Sequence, residues 1–157
     1  MKMLNIDLGT VSYPVYISEN ILENLSELVE EIVLPGRIYV IIDEFIYKKY
    51  LSEMEVFFRN NKINPFVLKG KKNNKTFYSA MKIFADLDDG NFARDTTIFA
   101  IGGGVIGDLA GFISSCWYRG SNLIHIPTTL LSAVDSCLGG KTAINFKKNL
   151  RKPRKSD

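Results

Sequence analysis

Three groups of residues in this chain could act together on one ligand. Gly102, Gly104 and Gly107 fit the spacing G-x-G-x-x-G within Ile101-Gly102-Gly103-Gly104-Val105-Ile106-Gly107-Asp108, between a β-branched apolar run and an amphipathic one. Without Cβ atoms such a backbone can turn tightly and approach a pyrophosphate at a helix N-terminus. Taken alone, the cluster reads equally as a tight strand-to-helix turn with close packing. Asp43 closes the apolar run 37–42, and Thr128-Thr129 follow the run 122–126. Two hydroxyls there could bond ribose or phosphate oxygens, or either could simply cap the next helix. A plain dinucleotide fold carries its acidic residue about 20 positions beyond the glycines. Here that place holds Ile126-Pro127-Thr128, and the acid candidate, Asp43, lies upstream.

The elements that must hold these groups follow from periodicity. Residues 3–8 and 13–17 predict two short strands broken at Gly9, with Pro14 favouring an edge. Ser18 offers an N-cap to a helix over 19–33, whose stripe is Ile21, Leu22, Leu25, Leu28, Val29 and Ile32, ended by Pro35-Gly36. A strand over 37–42 and a helix over 45–60 follow, the latter packing Tyr47, Tyr50, Leu51, Met54 and Phe57 or Phe58. Residues 65–68 form a shorter strand before the basic loop 69–75. Thr76 could cap a helix running through Ala80, Ile83, Phe84 and Leu87, stopped at 88–91. Strands at 96–101 and 122–126 flank a helix over 105–118, in which Ala110 and Gly111 permit close sheet packing. A helix over 130–137 ends at Gly139-Gly140.

This alternation predicts an α/β fold, a Rossmann-like open parallel sheet with helices on both faces. Asp43, the Gly70 loop, the glycine cluster and Thr128-Thr129 all follow strands, so they should share the carboxyl edge where open α/β sheets bind ligands. That shared edge favours the phosphate cradle over the bare turn.

Composition bounds the rest. At 157 residues, 46% hydrophobic and 24% charged, the chain predicts one domain with a proper core. The most apolar stretch, 98–117, carries Asp108 and five glycines and reads as strand, loop and helix rather than a bilayer span. No secretory pattern opens the chain, and Cys116 and Cys137 are expected to be reduced, core or near-core residues of a cytoplasmic protein. His125 is the single histidine, so a zinc site within this chain is not expected. Arg151, Lys152, Arg154 and Lys155 with Asp157 hold the whole excess of the +3 net charge, leaving 16 basic and 16 acidic groups in 1–150. Four tail cations without aromatic interleaving predict a solvated end, with neither nucleic acid nor membrane as partner.

Five motifs in order carry a resemblance: 102–112, Tyr118-Arg119-Gly120, Ile126-Pro127-Thr128-Thr129-Leu130-Leu131, Val134-Asp135-Ser136, and Gly139-Gly140-Lys141-Thr142-Ala143-Ile144-Asn145. They closely resemble the 3-dehydroquinate synthase family, and more distantly other sugar-phosphate cyclases and glycerol-dehydrogenase-like enzymes. The resemblance implies conversion of 3-deoxy-D-arabino-heptulosonate 7-phosphate into 3-dehydroquinate, in the shikimate pathway, with catalytic NAD and a divalent metal, zinc or cobalt. By matching position, Asp43, Lys75, Gly103, Gly104, Val105, Ile106, Gly107, Asp108, Thr128, Thr129, Lys141 and Lys148 would hold NAD. Asp135, Lys141, Arg119 and Asn149 would face the sugar-phosphate substrate. Lysine is a mobile cation suited to phosphate or carboxylate, and Asp135 could orient a substrate hydroxyl. Arg119 resembles an arginine that reaches a neighbouring subunit, which implies a homodimer.

The likeness also has departures. The family's Gly-Glu-Lys loop stands here as Gly70-Lys71-Lys72, with one extra residue before Lys75, and Phe45 replaces a polar neighbour of Asp43. Lys148 and Asn149 match only across a two-residue gap. The expectation is therefore an NAD-binding α/β domain at 1–149 and a disordered basic tail at 150–157. The family's helical metal-binding domain, with its glutamate and two histidines, finds no match. A truncated or frame-slipped product, or one piece of a split enzyme needing a complementing C-terminal fragment, is expected, with no synthase activity alone. An uncovered apolar patch prone to self-association would follow. A non-catalytic nucleotide-binding module and a piece of another sugar-phosphate cyclase remain alternatives.

Overall fold

The computed structural model describes residues 1–7, 9, 12–32 and 36–145. Strands β1 (Lys2–Asp7) and β2 (Ser12–Ile17) pair antiparallel as a separate hairpin. The chain continues through α1 (Leu25–Ile32), β3 (Ile38–Asp43), α2 (Glu44–Lys49), α3 (Leu51–Asn60) and β4 (Phe66–Leu68). Then come α4 (Phe77–Asp89), β5 (Thr97–Gly102), α5 (Gly104–Cys116), β6 (Asn122–Pro127) and a π-helical turn, Ser132–Ser136. The central sheet has the order β4-β3-β5-β6, with every pair parallel.

The inner strands are apolar on both faces, so helices cover both. Tyr39, Ile41, Ile98 and Ala100 pack on α4 and α5 through Ala80, Ile83, Leu87, Ile106, Leu109 and Ile113. On the other face Val40, Ile42, Phe99 and Ile101 meet Leu25, Ile46, Met54, Phe57 and Phe58. This is the Rossmann-like arrangement expected. The chain leaves β3 towards β4 and returns to β5 on the opposite side of β3. Strand direction of travel thus reverses between β3 and β5, and a crevice opens there at the carboxyl ends.

Several local expectations are corrected. Among the described residues of the predicted helix over 19–33, only Leu25–Ile32 is helical, because Asn20 takes φ 51° and residues 19–24 form turns. Ser18 donates its hydroxyl to the Glu19 carbonyl instead of capping. The helix over 45–60 is two helices broken at Tyr50 (φ −122°, ψ 24°). Leu51 is exposed at that break. The helix over 105–118 runs Gly104–Cys116 and gives way to a 3-10 turn, Trp117–Arg119. The helix over 130–137 contains the π-helical turn. Cys116 is exposed rather than near-core, while Cys137 is half-buried; both are free thiols. Lys148, Asn149 and the basic tail 150–157 lie outside the described residues.

Thr76 does cap α4, accepting from the Ser79 amide at 3.2 Å. Asp43 caps α2 and does more. Its Oδ1 accepts from the amides of Phe45 (2.8 Å) and Ile46 (3.4 Å), while Oδ2 accepts from Gly70 at 2.8 Å in the loop after β4. One carboxylate thereby ties together the ends of two adjacent strands. A Cβ on Gly70 would overlap Asp43 Oδ2, so the tie requires glycine. Asp43→Ala and Gly70→Ala should each lower stability by about 2 kcal/mol, since a lost cap and a lost charge-assisted bond are each of that order. Urea unfolding measures this, and unchanged midpoints in both variants would contradict the tie.

Candidate functional site

The glycine cluster turns β5 into α5. Gly102 is buried, and a Cβ there would lie 2.6 Å and 2.8 Å from the Ile106 side chain and 3.3 Å from the Asp43 Cβ. The turn therefore places α5 directly against the end of β3. Gly103 is the N-cap of α5 (φ −79°, ψ −174°), and no side chain caps the helix. The Ile106 and Gly107 amides close on the Gly103 carbonyl at 3.0 and 3.1 Å. Those of Gly104 and Val105 have no protein acceptor among the described residues. Two free amides at the positive end of a thirteen-residue helix form an anion site by backbone alone.

The surrounding elements close on this point. The Thr128 amide donates to the Gly102 carbonyl at 3.0 Å, stitching the end of β6 to that of β5. Thr129 accepts from the Ser132 amide at 3.2 Å, and its methyl lies 3.4 Å from where a Gly103 Cβ would stand. Ser136 Oγ, bonded to Ser132 Oγ at 3.0 Å, lies 3.2 Å from the corresponding point on Gly104. A side chain at any of these glycines would begin to fill the crevice.

The charged candidates pair with one another. Lys75 forms a largely buried ion pair with Asp108, linking the loop after β4 to α5. Lys141 pairs with Asp135, and both are exposed. Gly139 and Gly140 take φ 76° and 65°, left-handed values that glycine adopts without strain, and this double turn carries Lys141 back towards Asp135. Arg119 is exposed in a run, Tyr118-Arg119-Gly120, of positive φ. The structure thus brings Asp43, Gly103, Gly104, Val105, Thr128 and Thr129 to one edge. Ile106 and Gly107 build the turn from behind, the first fully buried and the second packed on His125.

Some of this was not visible in the sequence. Tyr13, on the separate hairpin, accepts from the Gly139 amide at 2.8 Å and so holds the double-glycine turn; a contact 126 residues apart leaves no local signal. Asn145 donates to the carbonyls of Lys75 (2.7 Å) and Lys72 (3.0 Å), fixing the basic loop. Gly111 makes room chiefly for Thr142, whose methyl would be 2.6 Å from a Cβ, rather than only for the sheet.

A recess of about 560 Å³ lies at the opposite, amino edge, lined by Arg37, Tyr39, Asn61, Lys62, Asp86, Asp89 and Phe92 among others. It is the carboxyl end of α4, and Arg37 is already engaged by the Gly90 and Asn91 carbonyls and the Phe92 ring. Tyr39 donates to Asp86 at 2.7 Å. Against one exposed cation, Lys62, the negative helix end, two aspartates and a committed arginine disfavour an anion there.

A family model described as 3-dehydroquinate synthase N-terminal matches residues 65–151. A 3-dehydroquinate synthase of Alkaliphilus oremlandii is 38% identical over 146 residues, 93% of this chain and 40% of that protein. One from Pseudomonas aeruginosa is 43% identical over 145 residues, 92% of this chain and 39% of that protein. A solved 2-deoxy-scyllo-inosose synthase, complexed with carbaglucose-6-phosphate, NAD+ and Co2+, superposes with a TM-score of 0.78 at 25% identity, over 92% of this chain and 40% of its own. The chain spans about 40% of the length of the relatives it matches.

Behind the glycine turn, His125 Nδ1 lies 3.2 Å from where a Gly107 Cβ would stand. Burial lowers the His125 pKa, with the Asp108 carboxylate acting weakly the other way. The unfolded chain, titrating near its ordinary value of about 6.5, binds a proton that the folded chain resists. Stability from this group is complete above that value and is lost as pH falls towards the lower folded value. His125→Gln should therefore lose less stability than the parent between about pH 7.5 and about pH 5.5 in urea unfolding. Equal losses would contradict a half-buried imidazole held neutral.

Proposed function

The chain belongs to the 3-dehydroquinate synthase family, and from that membership and the carboxyl-edge crevice we propose that it is the NAD-binding part of a sugar-phosphate cyclase. The proposed reaction converts 3-deoxy-D-arabino-heptulosonate 7-phosphate into 3-dehydroquinate and phosphate, a step towards aromatic amino acids. Identities of 38–43% to curated synthases, against 25% to 2-deoxy-scyllo-inosose synthase, favour this substrate over an aminocyclitol precursor. Because the chain matches about 40% of those relatives' length, the whole reaction is proposed for this region acting with the further part such relatives have.

The observation that carries the proposal is the uncapped α5 N-terminus beside Gly102–Gly104, at the point where strand order reverses. The free Gly104 and Val105 amides hold the pyrophosphate, and the Thr128 and Thr129 hydroxyls hold ribose or phosphate oxygens. Lys75 and Asp108 wall the crevice as a pair. When bound, NAD supplies reversible hydride uptake from a substrate carbinol, which acidifies the neighbouring C–H and lets phosphate leave. Lys141 exchanges the exposed Asp135 carboxylate for a substrate anion, and the released Asp135 accepts a substrate hydroxyl.

Among the described residues no group of three or more His, Cys, Asp or Glu converges, so they do not fit the divalent metal and no step is placed on it. Leu130, Leu131 and Val134 stand exposed beside the π-helical turn. We assign this apolar patch to contact with the remainder of the enzyme or a second copy, to which Arg119 would reach.

Gly103→Asp tests the cradle. The backbone there already has N-cap geometry and the nearest side-chain atoms leave ordinary contact distance, so aspartate should cap α5 and preserve the fold. Its carboxylate would accept from the Val105 amide, one of the two offered to phosphate, and place a negative charge at the mouth of the cradle. Calorimetric titration should show NAD binding to the parent and a loss of at least about a hundredfold, roughly 2.7 kcal/mol, in the variant, with no fall in melting temperature. Equal NAD affinity in parent and variant would contradict the assignment.

A further inference from the structure

Lys141 sits on a turn with little packing of its own. Gly139 and Gly140 are exposed, both take left-handed φ, and a Cβ at either would meet nothing within 4 Å. Two unpacked glycines in succession are where a backbone has the most freedom to lose.

Two anchors bracket this turn. After it, the Thr142 methyl packs on Gly111, 2.6 Å from where a Cβ there would stand. Before it, the Gly139 amide donates to the Tyr13 hydroxyl at 2.8 Å, the one hydrogen bond among the described residues from a backbone amide of 139–141. Gly140 and Lys141 alone lie between the anchors, so the hydroxyl limits how far the ammonium group can stray. Tyr13 itself is half-buried on β2, opposite Ile6, in a hairpin whose strands pair with each other and not with the main sheet.

The turn also stands beside the cradle. Asp135, the partner of Lys141, is followed by Ser136, whose Oγ lies 3.2 Å from the point a Gly104 Cβ would occupy. Because the Lys141–Asp135 pair is exposed, its attraction is weak and does little to hold the turn. When Lys141 gives up Asp135 for a ligand anion, the backbone must keep it at the crevice mouth. A lysine already held there loses less freedom on binding than one on a loose loop.

We propose that Tyr13 is a positioning residue for the anion end of the crevice: by holding the Gly139 amide, its hydroxyl pre-organises Lys141 to take a substrate oxyanion. The β1–β2 hairpin thus becomes part of the site's architecture, acting through Lys141. The inference rests on the exchange of Asp135 for a substrate anion at Lys141 in the proposed function.

The test titrates inorganic phosphate into the purified isotope-labelled chain and follows the NMR signal of the Lys141 ε-methylene, in the parent, in Tyr13→Phe and in Tyr16→Phe. The last removes a hydroxyl from the same strand, away from the turn. Tyr13→Phe keeps the ring and removes the acceptor, so the Gly139 amide should exchange faster with solvent and phosphate affinity at Lys141 should fall by about fivefold, as expected for one lost hydrogen bond. Tyr16→Phe should match the parent in both. Equal phosphate affinity in the parent and Tyr13→Phe, equal losses in the two variants, or no response of Lys141 to phosphate in the parent overturns the inference. Calorimetric titration with NAD+ is run separately: failure of the parent to bind it overturns the dinucleotide reading, while the Lys141 signal still decides the role of Tyr13.

Discussion

The carboxyl edge of this molecule depends on one carboxylate. Asp43 ends the central strand β3, caps α2 and binds the Gly70 amide beyond β4, so three elements take their positions from one side chain. Its Cβ also lies within 3.3 Å of the space that Gly102 leaves empty, which brings α5 against the same point. An acid at this place reads naturally as a ligand contact. In the structure it is first a clamp, holding the ends of β3, α2 and the loop after β4 at one point.

The remaining charges at the edge follow the same economy of partners. Lys75 with Asp108 and Lys141 with Asp135 are each matched within the chain. The first pair is largely buried, and losing either member would leave an uncompensated charge, so it serves as a structural strut between the β4 loop and α5. The second is exposed, contributes little to stability, and can be exchanged for a ligand at small cost. Burial thus separates two lysines that look equivalent in the sequence into a fixed one and an available one.

The parallel sheet and its two covered faces were legible because β3 and β5 are short, β-branched and apolar throughout, and because the amphipathic runs between them had clear stripes. The shared carboxyl edge followed from that alternation. What could not be read were departures set by single backbone positions: Asn20 in a left-handed conformation delaying α1, and Tyr50 breaking one predicted helix into two. Site partners remote in sequence were equally silent. Tyr13 reaches Gly139 from a hairpin outside the main sheet, and Asn145 fixes the basic loop through backbone carbonyls. Such contacts depend on tertiary placement and leave no periodicity to detect.

The central claim is that the carboxyl-edge crevice between β3 and β5, and not the amino-edge recess, receives the dinucleotide. Amide chemical-shift mapping of the isotope-labelled chain with added dinucleotide tests it most directly. The account predicts shifts concentrated at Gly103-Gly104-Val105, at Gly70-Lys71-Lys72 and at Thr128-Thr129. Shifts confined to Arg37, Asn61 and Gly90, or none at the glycine turn under saturating nucleotide, would contradict it.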